Sequence, residues 1–462
     1  MTADPAAALV RMLAERGQAP FLHMPGFDVS GAEMSTWIGA IQDQLEARAA
    51  DLTPGATLGI RGLDPRARIA APLAAWSLGY STYFVSEREP DSHLHTLLEE
   101  AGCALYIEDV DDDGLVWTAA PGRLTFEDGP HTLLRTSGSS GTPKLAIHGL
   151  AQHLESARAA ARHFALGPSH RWLLTLPTWH VGGLGIVFRA LVSGASLAVP
   201  AFDAPLERAL TELQPTHLSL VSTQLVRLLR MEETRAGLQA ATAILLGGGP
   251  LPASLRAEIL DRELPVHVSY GATETSALIA VSGDPEVLGR PDAAGYVLPG
   301  RRVRVDDAGR IDVAGPTVFR GYLEDGVLMD ARDAEGWYAT GDLGRIEDDG
   351  LLLVRGRADR MFISGGENIQ PEEIEAALLD LEAVRAAAVV SRPDDEFGHR
   401  PVAFVTLAPG TSTAGVEAAL RERLPGYKVP DAFLPLPKPV AGQLKVDLKA
   451  LEARAREDLP DA

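Results

Sequence analysis

Short apolar runs that end in glycine or a hydroxyl residue recur along this chain with helix-like stretches between them, and that alternation restricts the fold more than any other feature. The first run, TLGIRGL (57–63), leads into Asp64-Pro65 and the helix-like RARIAAPLAAWSLG, after which the apolar YSTYFVS follows. Asp64-Pro65 suits an N-cap and first-turn pair. Strand, helix and strand in that order build parallel sheets covered by helices. CALYIEDV (103–110), HTLLRT (131–136), HLSLVS (217–222), AILLGG (243–248) and VHVSYG (266–271) extend the series. Loops at such strand ends are where α/β folds hold their ligands. After Gly300 the runs shorten and charged turns join them, as in RVRVDDAGRIDV and GLLLVRGR, so a β-rich subregion is expected there.

The last hundred residues read as a unit of their own. A glycine loop after Met361 leads to PEEIEAALLDL, with Pro371 in its first turn and Glu372 and Glu373 near the positive end of the helix dipole. AAAVVS, PVAFVTLA, a helix near 413–424 and a Pro-rich tail complete a small α/β unit. The division falls between 1–356 and 357–462, inside RGRADR (355–360), and residues 425–442 read as an extended loop.

Composition narrows the partners. Sixty-three acidic against 42 basic side chains give a formal charge of −21, which disfavours a nucleic-acid partner. One cysteine, Cys103, forms no internal disulfide and no multi-cysteine zinc site, and a reducing cytoplasm is the expected compartment. Residues 1–20 carry Asp4 and Glu15 and are broken by prolines, so a signal peptide is not expected. The most apolar stretch, Leu173 to Pro200, is interrupted by Pro177, His180, Arg189 and glycines, and is expected in the core and not inserted in a membrane. Homo-oligomerisation stays open.

Thr136-Ser-Gly-Ser-Ser-Gly-Thr-Pro-Lys144 follows an apolar strand. Phosphate would explain its makeup: Gly138 and Gly141 let backbone N–H groups approach oxyanions, Thr136, Ser137, Ser139, Ser140 and Thr142 donate hydrogen bonds, and Lys144 supplies a point charge. The everyday reading of such composition is a flexible linker. Against it, Lys144 is one of only five lysines in an arginine-rich chain.

This segment resembles the phosphate loop of the adenylate-forming superfamily of acyl-CoA synthetases, adenylation domains and luciferases, and the resemblance continues in order along most of the chain. Pro177-Thr-Trp-His180 is similar to the family's aromatic-histidine segment at the acyl pocket, and Tyr270-Gly-Ala-Thr-Glu-Thr275 to its adenine and magnesium motif. Tyr338-Ala-Thr-Gly-Asp-Leu343 and Arg355-Gly-Arg-Ala-Asp-Arg360 resemble the ribose-binding aspartate and the interdomain hinge. Gly442-Gln-Leu-Lys-Val-Asp-Leu-Lys-Ala-Leu451 resembles the C-terminal motif whose first lysine is catalytic, although Leu444 stands where a glycine commonly precedes that lysine, and Lys449 is a rival.

The resemblance implies a large N-terminal domain of layered mixed sheets and helices with a β-rich subregion, plus a small mobile α/β domain, with ATP between them. It assigns catalysis to Lys445, His180 and Glu274, with Glu274 as the Mg²⁺ ligand. Nucleotide contacts fall to Thr136 through Thr142, Lys144, Gly247, Gly248, Gly249, Tyr270, Gly271, Ala272, Thr273, Asp342 and Arg357. The acyl group falls to His180, Arg189, Gly248 and Gly271, the hinge to Asp359, and the substrates are an aryl acid, ATP and CoA.

The residues support this chemistry independently. Glu274 is a hard-oxygen donor in a turn after a strand, or else a surface glutamate capping that turn. Tyr270 offers a face for stacking, or is half-buried core. His180 otherwise reads as a structural histidine, and Lys445 as a solvated surface charge. Arg189 sits in the apolar run LGIVFRALV, where a guanidinium needs an ion-pair partner, a route to the surface, or the second carboxylate of a substrate.

Three stretches, 362–374, 397–402 and 180–189, resemble the 2-succinylbenzoate CoA ligase branch, and halobenzoate CoA ligases share a similar glycine-rich C-terminal loop. Three activities therefore compete: an aryl-acid CoA ligase, an adenylation enzyme loading a carrier-protein thiol, and a non-catalytic nucleotide-binding relative. The last is disfavoured by the presence of both Glu274 and Lys445.

Overall fold

Two large sheets carry the first 357 residues of the chain. The computed structural model describes residues 4–48, 52–62, 64–111, 114–136, 144–249, 251–394, 396–437 and 446–459. In the larger, 13-stranded sheet, Pro20–Met24, Ser196–Ala198, Arg171–Leu173, His217–Leu220, Ala243–Leu246 and Val266–Ala272 run parallel in that spatial order. From Ala277–Ser282 onward the pairing turns antiparallel, and the charged-turn segments around 302–314 and 337–357 extend this edge, as the change of texture after Gly300 implies. In the 8-stranded sheet Thr57–Ile60, Ser81–Phe84, Cys103–Asp111 and His131–Thr136 are parallel neighbours, with Lys144–Gly149 and Gly321–Glu324 antiparallel beside them.

The helices Leu150–His163 and Val181–Ser193 lie where the two sheets meet. Leu154, Ile186 and Phe188 from these helices share one buried cluster with Leu58 and Ile107 of the smaller sheet and Leu197 and Leu245 of the larger. Each such side chain contributes about 1.5–3 kcal/mol by leaving water. The apolar stretch 173–200 is core, as expected, and no helix among the described residues is long and apolar enough to cross a membrane.

After Phe362 the strands belong to separate small sheets. Val384–Asp394 pairs antiparallel with Gly398–Leu407, and period-two alternation sends Val389 to one face with Ile374 and Leu378, and Val390 to the other with Leu451 and Ala455. The helix Leu448–Asp458, capped by the Asp447 carboxylate accepting the Ala450 N–H, covers that second face.

Two expectations need correction. Within 425–442, Ala432–Pro435 is a strand, paired parallel to Gly398–Leu407, with Phe433 and Leu434 alternating towards the two clusters. A four-residue alternation is too short to stand out among five prolines. At Asp64-Pro65 the first turn, Arg66–Ala70, is a π-helical one without a side-chain N-cap. Asp64 instead accepts the Arg66 N–H and pairs with the Arg66 guanidinium.

Candidate active site

The strands His131–Thr136 and Lys144–Gly149 pair so that Thr136 and Lys144 face each other at their open end. Ser137, Gly138, Ser139, Ser140, Gly141 and Thr142 lie outside the described residues, as does Lys445. Lys144 Nζ stands 3.0 Å from Glu324 Oε1 and 4.9 Å from the centroid of the Tyr322 ring. Both acceptors belong to Gly321–Glu324, the strand hydrogen-bonded to Lys144–Gly149.

Glu274 occupies the turn Thr273–Thr275 that follows Val266–Ala272, and it is held at both ends. Its carbonyl accepts the Phe319 N–H at 2.7 Å, and its Oε1 accepts the Tyr322 O–H at 2.7 Å. The Tyr338 hydroxyl is 3.1 Å from that of Tyr322; since the Tyr322 proton points at the carboxylate, Tyr338 donates to Tyr322. Burial and the Glu274 charge push both phenols up, so they stay protonated donors. His148 Nε2 donates to the Thr273 carbonyl at 2.7 Å, tying the turn to the strand Lys144–Gly149. Full burial lowers the His148 pKa to about 4, which keeps its ring neutral.

Behind this turn the Tyr270 hydroxyl donates to Asp342 Oδ2 at 2.5 Å, while Arg357 Nη1 lies 3.4 Å from Oδ1. Burial raises the Asp342 carboxyl and the Tyr270 phenol above their usual ranges. Arg357 also grips Asp359 through Nε and Nη2 at 3.0 and 2.9 Å, so one guanidinium spans the expected ribose and hinge carboxylates. That grip raises the Arg357 pKa further. Gly271 is obligatory for space: a Cβ there would lie 1.5 Å from the Ala277 carbonyl oxygen, and Ser276 and Ala277 both take left-handed φ values of 53° and 79°. Ala272 pairs with Ala277 across this tight return, and its N–H donates to Thr275 Oγ1. Gly247 through Gly249 follow Ala243–Leu246, with Gly247 half-buried against the Ser269 hydroxyl and the other two exposed.

The expected acyl side is built on the helix Val181–Ser193. His180 is its N-cap, with its N–H on the Pro177 carbonyl and its ring 6.1 Å from that of Trp179. Two turns on, Arg189 is 3% exposed, and no carboxylate lies within ion-pair range of it among the described residues. Its guanidinium carbon is 4.8 Å above the Trp172 ring, and Nη1 has no hydrogen-bond partner. Gly185 leaves space beside it: a Cβ there would be 3.3 Å from Nη2 and 3.9 Å from Ala277 Cβ. Arg189 and the Gly271–Ala277 return therefore meet at one corner. Burial, then the nearby Arg301, lowers the Arg189 pKa to about 10, which leaves it cationic at neutral pH. Among the described residues Arg301, also buried, donates only to the Leu278 and Pro299 carbonyls and to Ser156 Oγ.

Sequence reasoning missed Tyr322, Glu324, Phe319, His148 and Arg301. Their only local signal is polar or aromatic residues in or beside short strands, and what recommends each of them is a contact across 40 or more residues. Of the residues singled out from sequence, Thr136 pairs with Lys144, Lys144 and Glu274 both reach Tyr322, Tyr270, Asp342, Arg357 and Asp359 form a chain of hydrogen bonds, and His180 and Arg189 share the adjoining helix.

The AMP-binding enzyme family matches residues 11–323, and the AMP-binding enzyme C-terminal domain matches residues 373–441. The 2-succinylbenzoate–CoA ligase of Salmonella typhimurium is 38% identical over 318 residues, which cover 69% of this chain and 67% of that protein. The o-succinylbenzoate CoA synthetase MenE of Bacillus subtilis, solved with the acyl-adenylate intermediate OSB-AMP, superposes with a TM-score of 0.84 at 27% identity, over 96% of this chain and 97% of that one. The same enzyme in complex with ATP and magnesium ion gives a TM-score of 0.79 at 26% identity, covering 93% and 95%. With motifs, fold and relatives in agreement, the chain belongs to the AMP-binding enzymes and, among them, groups with the 2-succinylbenzoate–CoA ligases.

Proposed function

We propose that this chain is an AMP-forming acid–thiol ligase that activates 2-succinylbenzoate with ATP and transfers the acyl group to CoA. The observation that carries the substrate is Arg189, a buried guanidinium with an unfilled donor and, among the described residues, no carboxylate beside it. Such a charge costs several kcal/mol unless something anionic reaches it. A dicarboxylic aryl acid has two charged ends, one to react and one to anchor, and Arg189 suits the anchor.

In the first half-reaction a carboxylate oxygen attacks the α-phosphorus of ATP, and the bond to pyrophosphate breaks. The Thr136–Lys144 segment meets the phosphates, Asp342 accepts the ribose hydroxyls in exchange for the Tyr270 phenol, and His180 backs the reacting carboxylate. Glu274 fits a hard divalent cation: Oε1 is taken by Tyr322 and Oε2 has no hydrogen bond among the described residues. Bound there, Mg²⁺ would neutralise charge on the phosphates. Lys445 supplies a cation at the α-phosphate as charge gathers. In the second half-reaction the CoA thiol attacks the acyl carbon, the C–O bond to AMP breaks, and the thiol proton is lost to solvent. Rotation of the 357–462 unit about Asp359 would exchange the residues presented to the two steps.

The test is pyrophosphate release and CoA consumption by the purified protein over a panel of aryl and alkyl acids. Preference for 2-succinylbenzoate with one CoA consumed per pyrophosphate is the expected result. Pyrophosphate release without CoA consumption would move the chain to carrier-protein loading, and preference for benzoate or a halobenzoate would move it to another aryl acid.

A further inference from the structure

We infer that Tyr322 is a positioning residue that fixes how Glu274 takes a divalent cation and where Lys144 meets the nucleotide phosphates. The inference rests on the reading of Glu274 as metal ligand and Lys144 as phosphate contact, and adds a residue that serves both at once.

The two ends of one side chain do different work. The hydroxyl donates to Glu274 Oε1 at 2.7 Å and is itself backed by the Tyr338 hydroxyl at 3.1 Å. The ring face lies under the Lys144 ammonium, 4.9 Å from Nζ to the centroid, and its edge packs against Phe319, whose N–H holds the Glu274 carbonyl. Register places Tyr322 opposite Ala146, two residues beyond Lys144, so the lysine and the glutamate reach the same phenol from two different sheets.

The hydroxyl has a consequence for the metal. With Oε1 already accepting the Tyr322 proton, Glu274 ligates a cation more readily through Oε2. One-oxygen ligation suits Mg²⁺, which demands near-octahedral geometry, and weakens the two-oxygen grip on a carboxylate that the larger, looser Ca²⁺ shell accepts. Tyr322 therefore biases the site towards Mg²⁺. The ring has a separate consequence: it holds Lys144 over the site independently of any metal.

Equilibrium ATP binding by calorimetry, in EDTA, Mg²⁺ or Ca²⁺, separates these effects without any acyl substrate. Tyr322→Phe keeps the ring, so its affinity in EDTA should equal the wild type's. In Mg²⁺ it should weaken about tenfold, the scale of a lost hydrogen bond to a charged group, and its preference for Mg²⁺ over Ca²⁺ should narrow. Tyr322→Leu should lose about threefold more, and that part already in EDTA. If Tyr322→Phe binds MgATP like the wild type, or if both variants weaken equally with and without metal, Tyr322 is merely structural and the inference fails. Should Tyr322→Leu not fold, the Phe variant alone decides. Glu274→Gln with an undiminished response to Mg²⁺ would overturn the metal reading beneath it, whereas failure of the wild type to ligate 2-succinylbenzoate would leave this result standing.

Discussion

The proposed nucleotide side and the proposed acyl side of this site treat charge in opposite ways. On the nucleotide side every described ionisable group already has a partner: Lys144 has Glu324, Glu274 has Tyr322, and Asp342 has Tyr270 and Arg357. On the acyl side Arg189 is buried beside a second arginine, with no acid in ion-pair range of either among the described residues. A group with a resting partner must exchange it when substrate arrives, which favours fast, reversible binding of a ligand shared with many enzymes. A group without one is destabilised until its ligand comes, which favours discrimination. Generic and specific recognition thus divide along the pocket between these two sides.

The largest break in this picture would come from Lys445→Ala. Acyl-adenylate formation should fall by about two to three decades, roughly 3–4 kcal/mol, while CoA transfer from supplied acyl-AMP is spared. Equal losses in both half-reactions would remove its assigned role. Asp359→Pro should come next, because it fixes a torsion at the proposed hinge: pyrophosphate release persists while thioester formation is lost, and an intact overall rate would exclude rotation at this residue. Arg189→Met, the third in size, removes the buried cation itself. It should lower kcat/KM for 2-succinylbenzoate by about 10- to 100-fold relative to benzoate, the worth of a charge-assisted hydrogen bond of roughly 1.5–3 kcal/mol. It should also raise the denaturation midpoint of the ligand-free protein, since an apolar side chain replaces a lone buried charge. A parallel loss for both acids with no gain in stability would make Arg189 structural.

A smaller effect should appear with pH. His148, His217 and His267 have pKa values lowered to about 4, chiefly by burial, against 6.5 for a free imidazole. Between those values the unfolded chain binds protons that the folded chain refuses, so stability should hold above pH 6.5 and decline as pH falls towards 4. Urea midpoints across that window measure the slope, and His148→Gln, which retains a donor for the Thr273 carbonyl, should make it shallower. An unchanged slope would mean that this ring is not held neutral. The smallest effect belongs to Glu324→Gln: the Lys144–Glu324 pair is about half exposed on both sides, and its loss should change stability by less than about 1 kcal/mol. A larger loss would mean that the two strands depend on that ion pair.

Much of the layered architecture was legible because short apolar runs and their glycine or hydroxyl ends are local signals. HTLLRT became His131–Thr136, and PEEIEAALLDL became Pro371–Leu379 with its proline in the first turn. What stayed hidden was decided by partners distant in sequence. Ala432–Pro435 becomes a strand only because Gly398–Leu407 offers an edge, and Tyr322 matters only because Glu274 is delivered to it from another sheet. The same holds at Arg189. Sequence posed the question of its partner, and only the structure shows that no carboxylate answers within ion-pair range among the described residues.

The tight return at Gly271 also bears on how such a pocket could diversify. One wall is closed to enlargement, because any side chain at 271 would collide with the Ala277 carbonyl. The facing helix is more permissive: the nearest atom to a methyl at Gly185 is the far end of the Arg189 side chain. Descendants with altered acid preference should therefore carry their changes on the helix, with residue 185 as the first dial, while the return at 271–277 keeps its small residues whatever acid they accept.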